Sequence, residues 1–373
     1  MPIIKMEKLN PPQITLLGPG PSNIHPRVLR ALAFGPVSHL DPYLLKIYAE
    51  EQELLRAIFR TRNQWTFSLS GTGTSGMEAS LANLLEPSDG LLVGVNGYFG
   101  SRLAEIGQRL GAVVSTIEIP AGKIFQVEAI EGALNETACK VFAMVHAETS
   151  TGVEQLRISE ISKVVHDHQA LFVLDTVTSL GGIPVEVDEW DVDISYSASQ
   201  KNLSAPSGLS PVTVSQRARH VIENRKTKVP SFYLDFPAYY NYWNENHRYH
   251  HTASSHLHYA LLEALTLVLE EGLPERFKRL KTNAMNLWDG LTHLGVQPFI
   301  PQEYRLPVLT TAIVPDHMDA QGIKTRLYNE RKIEIATGLG ALKDKLWRIG
   351  LMGYSSSPEN VNSLLDGLKA LMD

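Results

Sequence analysis

Leu171-Phe172-Val173-Leu174-Asp175 is an apolar run closed by a carboxylate, and Ile194-Ser195-Tyr196-Ser197-Ala198-Ser199-Gln200-Lys201 follows a second such run with a lysine. Runs of four to five apolar residues bounded by turn signals are the pattern of strands buried in a covered sheet. A charged side chain just past such a strand stands at the carboxyl edge of the sheet, the edge where open α/β sheets bind their ligands. An unpaired charge there is costly, so Asp175 must be compensated by something. Taken singly, each has a plain explanation: an aspartate that caps the next turn and a lysine in a solvated loop. Their conjunction asks what else converges on the same edge.

Working outward, similar runs recur at Trp65 to Leu69, Leu91 to Val95, Val113 to Ile117, Val141 to Val145 and Pro211 to Val214. Between them lie helical patterns such as Ser75 to Leu85, Ser101 to Leu110 and Ser159 to His168, each long enough to cross from one strand to the next. This alternation predicts an α/β fold with a mostly parallel central sheet covered by helices. Near Ala253 the pattern changes: Leu257, Leu261, Leu262, Leu265, Val268 and Leu269 outline a long amphipathic helix ending at Gly272, with Pro274 just beyond. Helical stretches at Lys278 to Leu294, Ala320 to Asn329 and Pro358 to Leu371 then flank strand-like Val308 to Val314 and Leu346 to Leu351. The expected organisation is an N-terminal arm over 1–15, a large domain over 16–272 and a smaller α+β domain over 273–373. The aromatic stretch Phe232 to Tyr249 has no strong period and is expected to be a loop or an interface.

The 373 residues, 43% hydrophobic and 20% charged, exclude disordered and fibrous classes. Forty acidic against 34 basic side chains leave a net charge of −6, with no basic block to hold nucleic acid. The single cysteine, Cys139, allows no internal disulfide and no cysteine zinc site. No apolar run approaches the roughly 18–20 residues of a membrane span. Met1 to Gln13 lacks the apolar centre of a signal peptide, and the cytoplasm is the expected compartment. His250 and His251 are adjacent, and since adjacent strand or loop positions are expected to point apart and no third ligand is near in sequence, no metal site is expected.

Gly71-Thr72-Gly73-Thr74-Ser75-Gly76 lies between a strand pattern and a helix pattern, so its N–H groups and hydroxyls are suited to a phosphate at a positive helix end. It also matches G-x-G-x-x-G. A dinucleotide site would need an acid at the tip of the next strand, and Leu91 to Val95 ends instead in Asn96-Gly97-Tyr98-Phe99-Gly100. Three hydroxyls suit a terminal phosphate better than a closely approached pyrophosphate; a tight strand-to-helix turn with no ligand is the plainer alternative. A phosphate loop, an acid at a strand end and a lysine at a neighbouring strand end are together the parts that hold pyridoxal phosphate. The lysine would form the Schiff base, the acid would keep the pyridine nitrogen protonated, and the loop would anchor the phosphate.

With these pieces in order, the chain resembles the class V (fold type I) pyridoxal-phosphate aminotransferases, and among them the alanine–glyoxylate and serine–glyoxylate (serine–pyruvate) enzymes. The resemblance runs from about Leu16 to the C-terminus. It is carried by Gly18-Pro19-Gly20-Pro21-Ser22-Asn23, the Ser70 to Gly76 loop, Asn96 to Gly100, Glu148-Thr149-Ser150-Thr151-Gly152, Asp175 to Gly182, Ser199-Gln200-Lys201, Tyr249-His250-His251-Thr252 and Arg348-Ile349-Gly350.

The resemblance implies that Lys201 is the Schiff-base lysine and Asp175 the partner of the pyridine nitrogen. It implies that Phe99, where relatives often carry tryptophan, stacks on the cofactor while Val177 packs on the opposite ring face. Ser150 matches the hydroxyl beside the phenolic oxygen, and Thr72, Gly73, Thr74 and Gln200 match the phosphate shell. Tyr249 and Thr252 match residues that reach the phosphate from the other subunit, so a homodimer with shared active sites is implied. Arg348 matches the residue that grips the substrate carboxylate, a task suited to its planar fork, and Gly20 borders the substrate pocket. The implied reaction is ping-pong transamination between a small amino acid, alanine or serine, and a small 2-oxo acid, glyoxylate. The alternatives are aminoethylphosphonate transamination or desulfuration on the same fold, a nicotinamide-dependent dehydrogenase, and an inactive binding protein. Desulfuration requires a mobile nucleophilic cysteine, which Cys139, beside a buried strand, does not supply.

Overall fold

A computed structural model describes residues 9–244 and 246–372; the first eight residues of the expected arm lie outside them. Seven strands build the central sheet in the spatial order Trp65–Ser70, Leu209–Val214, Ile194–Tyr196, Leu171–Asp175, Val141–Val145, Gly90–Val95 and Val113–Glu118. All run parallel except Leu209–Val214, which is antiparallel to both its neighbours. The alternation of side chains along each strand divides the core into two layers. Leu91, Val93, Val141, Ala143, Val145, Leu171 and Val173 belong to one. Leu92, Phe142, Met144, Phe172 and Leu174 belong to the other. Each large side chain buried this way contributes about 1.5–3 kcal/mol. The apolar runs therefore read as strands because both faces are covered. Val113–Glu118 departs from that reading: it is an edge strand with Val113 63% exposed, and Ser115 and Glu118 already break its apolar run.

The helix after the glycine loop spans Gly73–Leu84, starting two residues before the expected Ser75, and the next spans Tyr98–Arg109. Ser255–Glu271 is the long helix expected near Ala253; the Ser254 side chain caps it, and Gly272, at φ +80°, ends it. Its buried Leu261, Leu265 and Val268 belong to the second layer. It packs on Pro42–Phe59, a helix not anticipated from sequence although Asp41-Pro42 is a start signal: the Asp41 carboxylate accepts from Tyr43 N at 2.8 Å.

The stretch Phe232 to Tyr249 is corrected by the structure, for it contains a helix, Phe236–Trp243, capped by Asp235. Phe236 and Tyr239 both lie 5.7 Å from Phe67, and Trp243 stacks on Tyr48 at 4.4 Å. A helix buried on most of its faces shows no amphipathic period.

Beyond Gly272 lie the helices Leu273–His293, Ala320–Arg331 and Pro358–Met372 and an antiparallel sheet of Leu309–Ile313, Leu346–Gly350 and Ala336–Thr337. Leu287, Leu327, Trp347, Ile349 and Leu364 form their own core, which Leu17 joins. Thr15–Leu16 pairs in parallel with Ile333–Glu334. We propose on this packing a large and a small domain meeting near Gly272, with Thr15 to Leu17 crossing from the start of the chain to the small one. Among the described residues no helix is long and apolar enough to cross a membrane.

Candidate active site

The parallel strands end at one edge of the sheet, and a cavity of about 200 Å³ opens there. Thr72, Gly73, Thr74, Phe99, Asp175, Val177, Gln200 and Lys201 all line it. Wider hollows of about 480 and 740 Å³ lie by Arg276 and by Lys46, without a comparable convergence of groups. Eight of the residues singled out in sequence are thus brought to one place.

Asp175 is buried, and its compensation comes from two donors. Its Oδ1 accepts from Val177 N at 2.8 Å and its Oδ2 from the Tyr196 hydroxyl at 2.9 Å. Tyr196 stands directly beside Asp175 in the register of the adjacent strand. Burial nevertheless pushes the carboxyl up to about 7, against the pull of these two hydrogen bonds and of the Lys201 charge. Lys201 moves the other way: burial, with the Arg348 charge added, brings its amine down to about 8. The amine donates to the Pro19 carbonyl. Ser22 N donates to Gln200 O and Ser22 Oγ to Lys201 O, each at 2.9 Å, so the Gly18 to Ser22 turn is tied to the lysine loop. Gly20 has φ +104°, and a Cβ there would stand 2.6 Å from Lys201 Nζ. Only glycine meets both conditions.

Thr72 takes the N-cap position of Gly73–Leu84, yet its side chain makes no capping bond. Ser75 N donates to Thr72 O at 2.8 Å, which leaves the Gly73 and Thr74 N–H groups and the Thr72 hydroxyl available to an acceptor. A Cβ on Gly73 would sit 3.0 Å from Val177 and 3.1 Å from Ala198, so the loop presses closely on the strand ends. The Gln200 side chain lines the cavity with its Oε1 buried and unpartnered.

Ser150 is placed less directly. Its hydroxyl donates to Glu148 Oε1 at 2.6 Å and accepts from Tyr98 N at 3.0 Å, and its neighbour Thr149, not Ser150, lines the cavity. Glu148 is fully buried; its other oxygen accepts from Phe99 N at 3.2 Å, and burial raises its pKa. This carboxyl fixes Ser150 and the start of the Phe99 helix together. Arg348, for which the local sequence demands no burial, is only 7% exposed. Its Nε donates to Thr337 O at 2.8 Å and its Nη1 reaches Thr149 O at 3.4 Å across the domain seam. Tyr249 and Thr252 do not line the cavity; they are exposed and their hydroxyls lie 3.3 Å apart. Cys139 donates to Val141 O at 3.1 Å, and burial pushes its thiol up to about 11.

The family profile described as aminotransferase class-V matches residues 19–364. The chain is a class V aminotransferase. A crystal structure of an alanine–glyoxylate aminotransferase from Nostoc sp. superimposes with a TM-score of 0.98 at 45% identity, covering 99% of this chain and 98% of that one. An (S)-ureidoglycine–glyoxylate transaminase of Bacillus subtilis is 37% identical over 97% of this chain and 91% of that protein. Alanine–glyoxylate aminotransferase of Mus musculus is 37% identical over 97% of this chain and 88% of that protein.

Class V aminotransferases of fold type I use pyridoxal 5′-phosphate, which is therefore the cofactor here. The residues present fit it: a desolvated amine, a buried carboxyl and free N–H groups at a helix start face one cavity. Tyr196, Glu148 and Arg102 escaped the sequence reading as site residues. Tyr196 had a usable signal, since an acid ending a buried strand calls for a donor on a neighbouring strand.

Proposed function

We propose that this aminotransferase transfers the amino group of a small amino acid, alanine or serine, to glyoxylate, giving glycine and pyruvate or hydroxypyruvate. The observation that carries the reading is the single cavity faced by the Thr72–Thr74 helix start, Asp175 and Lys201, with Arg348 reaching Thr149 on its wall. The glyoxylate assignment draws support from relatives whose names share that acceptor while differing in donor. (S)-Ureidoglycine is the second donor to be weighed, on the strength of the Bacillus subtilis relative.

When bound, the cofactor supplies an aldehyde that carries the amino group and a ring that accepts the electron pair left at the substrate Cα. Lys201 is the group that moves the proton: an amine brought down to about 8 is partly neutral near neutral pH and can take the Cα proton and return it. Asp175 holds the proton of the pyridine nitrogen, and a cation brought against it favours its ionised form. Thr72, Gly73, Thr74 and Gln200 hold the phosphate. Phe99 and Val177 confine the ring. Ser150, fixed by Glu148, stands at the phenolic-oxygen and substrate side of the site. Arg348 has donors left over from Thr337 and Thr149 for a carboxylate. Gly20 leaves space beside the amine, and a single gripping arginine favours monocarboxylic partners over glutamate or aspartate.

A homodimer completes the proposal. Tyr249, 54% exposed, and Thr252 face away from their own cavity's lining and would serve the phosphate of the second subunit. The cytoplasm remains the proposed compartment, because Cys139 has no cysteine to pair with. The test is an assay of alanine, serine and (S)-ureidoglycine against glyoxylate and pyruvate, with a visible absorption scan before and after borohydride. A visible band abolished by reduction, with glyoxylate as the best acceptor, is expected. Glutamate or aspartate proving the far better donor would overturn the pocket reading, and a fully active monomer in sedimentation would overturn the shared site.

A further inference from the structure

Arg102 and Lys201 are the two cationic side chains that line the cavity. Lys201 is committed to the Pro19 carbonyl. Arg102 is not committed to any acid: among the described residues no carboxylate stands within ion-pair distance, whereas Arg109, further along the same helix, pairs with Glu105 at 2.5 Å. A cation without a counter-ion beside the phosphate-type loop is the feature that needs explaining.

Three contacts hold it there. Its guanidinium carbon lies 5.0 Å from the ring centroids of both Tyr98 and Phe99, inside the range of cation–π attraction. Its Nη1 donates to Thr74 Oγ1 at 3.2 Å. A hydroxyl that accepts from arginine has its own proton free for another acceptor, so the contact turns Thr74 into a donor. The charge reaches the interior as well, where it acts on the Tyr196 phenol beside Asp175. Magnitudes point the same way. A helix N-terminus supplies only about half a positive charge, while a phosphate monoester carries roughly −1.5 to −2 near neutral pH. The chain as a whole, at −6, offers no attraction to make up the difference.

We propose that Arg102 is the cation for the cofactor phosphate, acting on it directly and through the Thr74 hydroxyl while holding the Phe99 ring at the same end of the cavity. The inference rests on the phosphate lying at the Thr72–Thr74 helix start. It gives one side chain both the charge balance and the positioning of the stacking ring.

The experiment uses the full chain, dialysed free of cofactor and checked for folding by circular dichroism. Wild type, Arg102→Met, Arg102→Gln and Arg102→Lys are each titrated by equilibrium dialysis with pyridoxal 5′-phosphate and, separately, with pyridoxal, which shares the ring and aldehyde but lacks the phosphate. Losing a charge-assisted contact predicts that Arg102→Met binds pyridoxal 5′-phosphate roughly 10–100-fold more weakly, with pyridoxal weakened only about two- to threefold through the loosened Phe99 ring. Arg102→Lys should recover most of the loss. If the methionine variant does not fold, the polar but uncharged glutamine variant carries the same expectation. Unchanged affinity for pyridoxal 5′-phosphate would overturn the proposal, and so would an equal loss for both probes, which would reduce Arg102 to a support for Phe99. A wild type that binds neither probe would overturn the cofactor placement itself, and the role of Arg102 with it.

Discussion

The two walls of the cleft are built on different mechanical terms. On the sheet wall, Asp175 and Lys201 follow strands whose side chains are buried in both layers, and Asp175 is held by two short bonds from Val177 and Tyr196. On the opposite wall, Arg348 is anchored at 2.8 Å within its own domain and touches the sheet wall only at 3.4 Å. The groups that handle the proton are thus set at the ends of strands covered on both faces, and the group proposed to grip substrate belongs to the other unit. Proton transfer tolerates little misplacement, whereas a carboxylate grip can be completed as the ligand arrives.

The comparison is tested most severely at Lys201. Lys201→Ala should lower kcat by roughly 10²–10⁴-fold or more and leave any visible band insensitive to borohydride. Asp175→Asn comes next. Breaking a buried charge pair predicts a loss on the order of 10²–10³-fold in kcat, with weaker cofactor retention measured by dialysis. Arg348→Gln should separate the walls: KM for glyoxylate rising by about 10–100-fold while cofactor affinity stays at the wild-type value. A loss of cofactor in that variant would erase the distinction between the walls. Tyr196→Phe removes one of two donors to Asp175 and should cost roughly three- to tenfold in kcat, a single hydrogen bond's worth.

The smallest effect is in the pH dependence of stability. Asp175 at about 7 lies above the ordinary carboxyl value near 4, so the folded, cofactor-free chain binds that proton more tightly than the unfolded one. Its contribution is fully present below about 4 and fades as pH rises through about 7. Melting of cofactor-free wild type should therefore lose stability relative to Asp175→Asn across that window. A constant difference between the two would mean that the carboxyl is not raised.

What was legible in sequence follows from how local each signal is. Asp175 and Lys201 announced themselves because a charge ending an apolar run violates the pattern around it. The strands of the central sheet were legible as short apolar runs, Val113–Glu118 among them, although its place at the edge leaves it less covered than the rest. Arg102 was silent: Phe99 lies one turn back on its own helix, but Thr74 belongs to a separate strand-to-helix turn that only the fold brings beside it. Arg348 was singled out by the resemblance alone, because its local sequence demands no burial and its partners are Thr337 and, across the seam, Thr149. Glu148 stood inside a quoted motif, but its task of fixing Ser150 and the Phe99 helix emerges only once both turns are in place. Phe236–Trp243 hid as a loop because burial on most faces removes the period that marks a helix.

The Gly18 to Ser22 turn has a consequence in time. The carbonyl that receives the Lys201 amine is made 182 residues before the lysine, and Asn23, just after the turn, donates its N–H to the Ser355 hydroxyl, 332 residues downstream. During synthesis this segment meets its Gln200 and Lys201 partners only after more than half of the chain is made, and Ser355 only near the end. Completion of the amine's surroundings is thus a late event, which waits on segments as far apart in the chain as Pro19, Lys201 and Ser355.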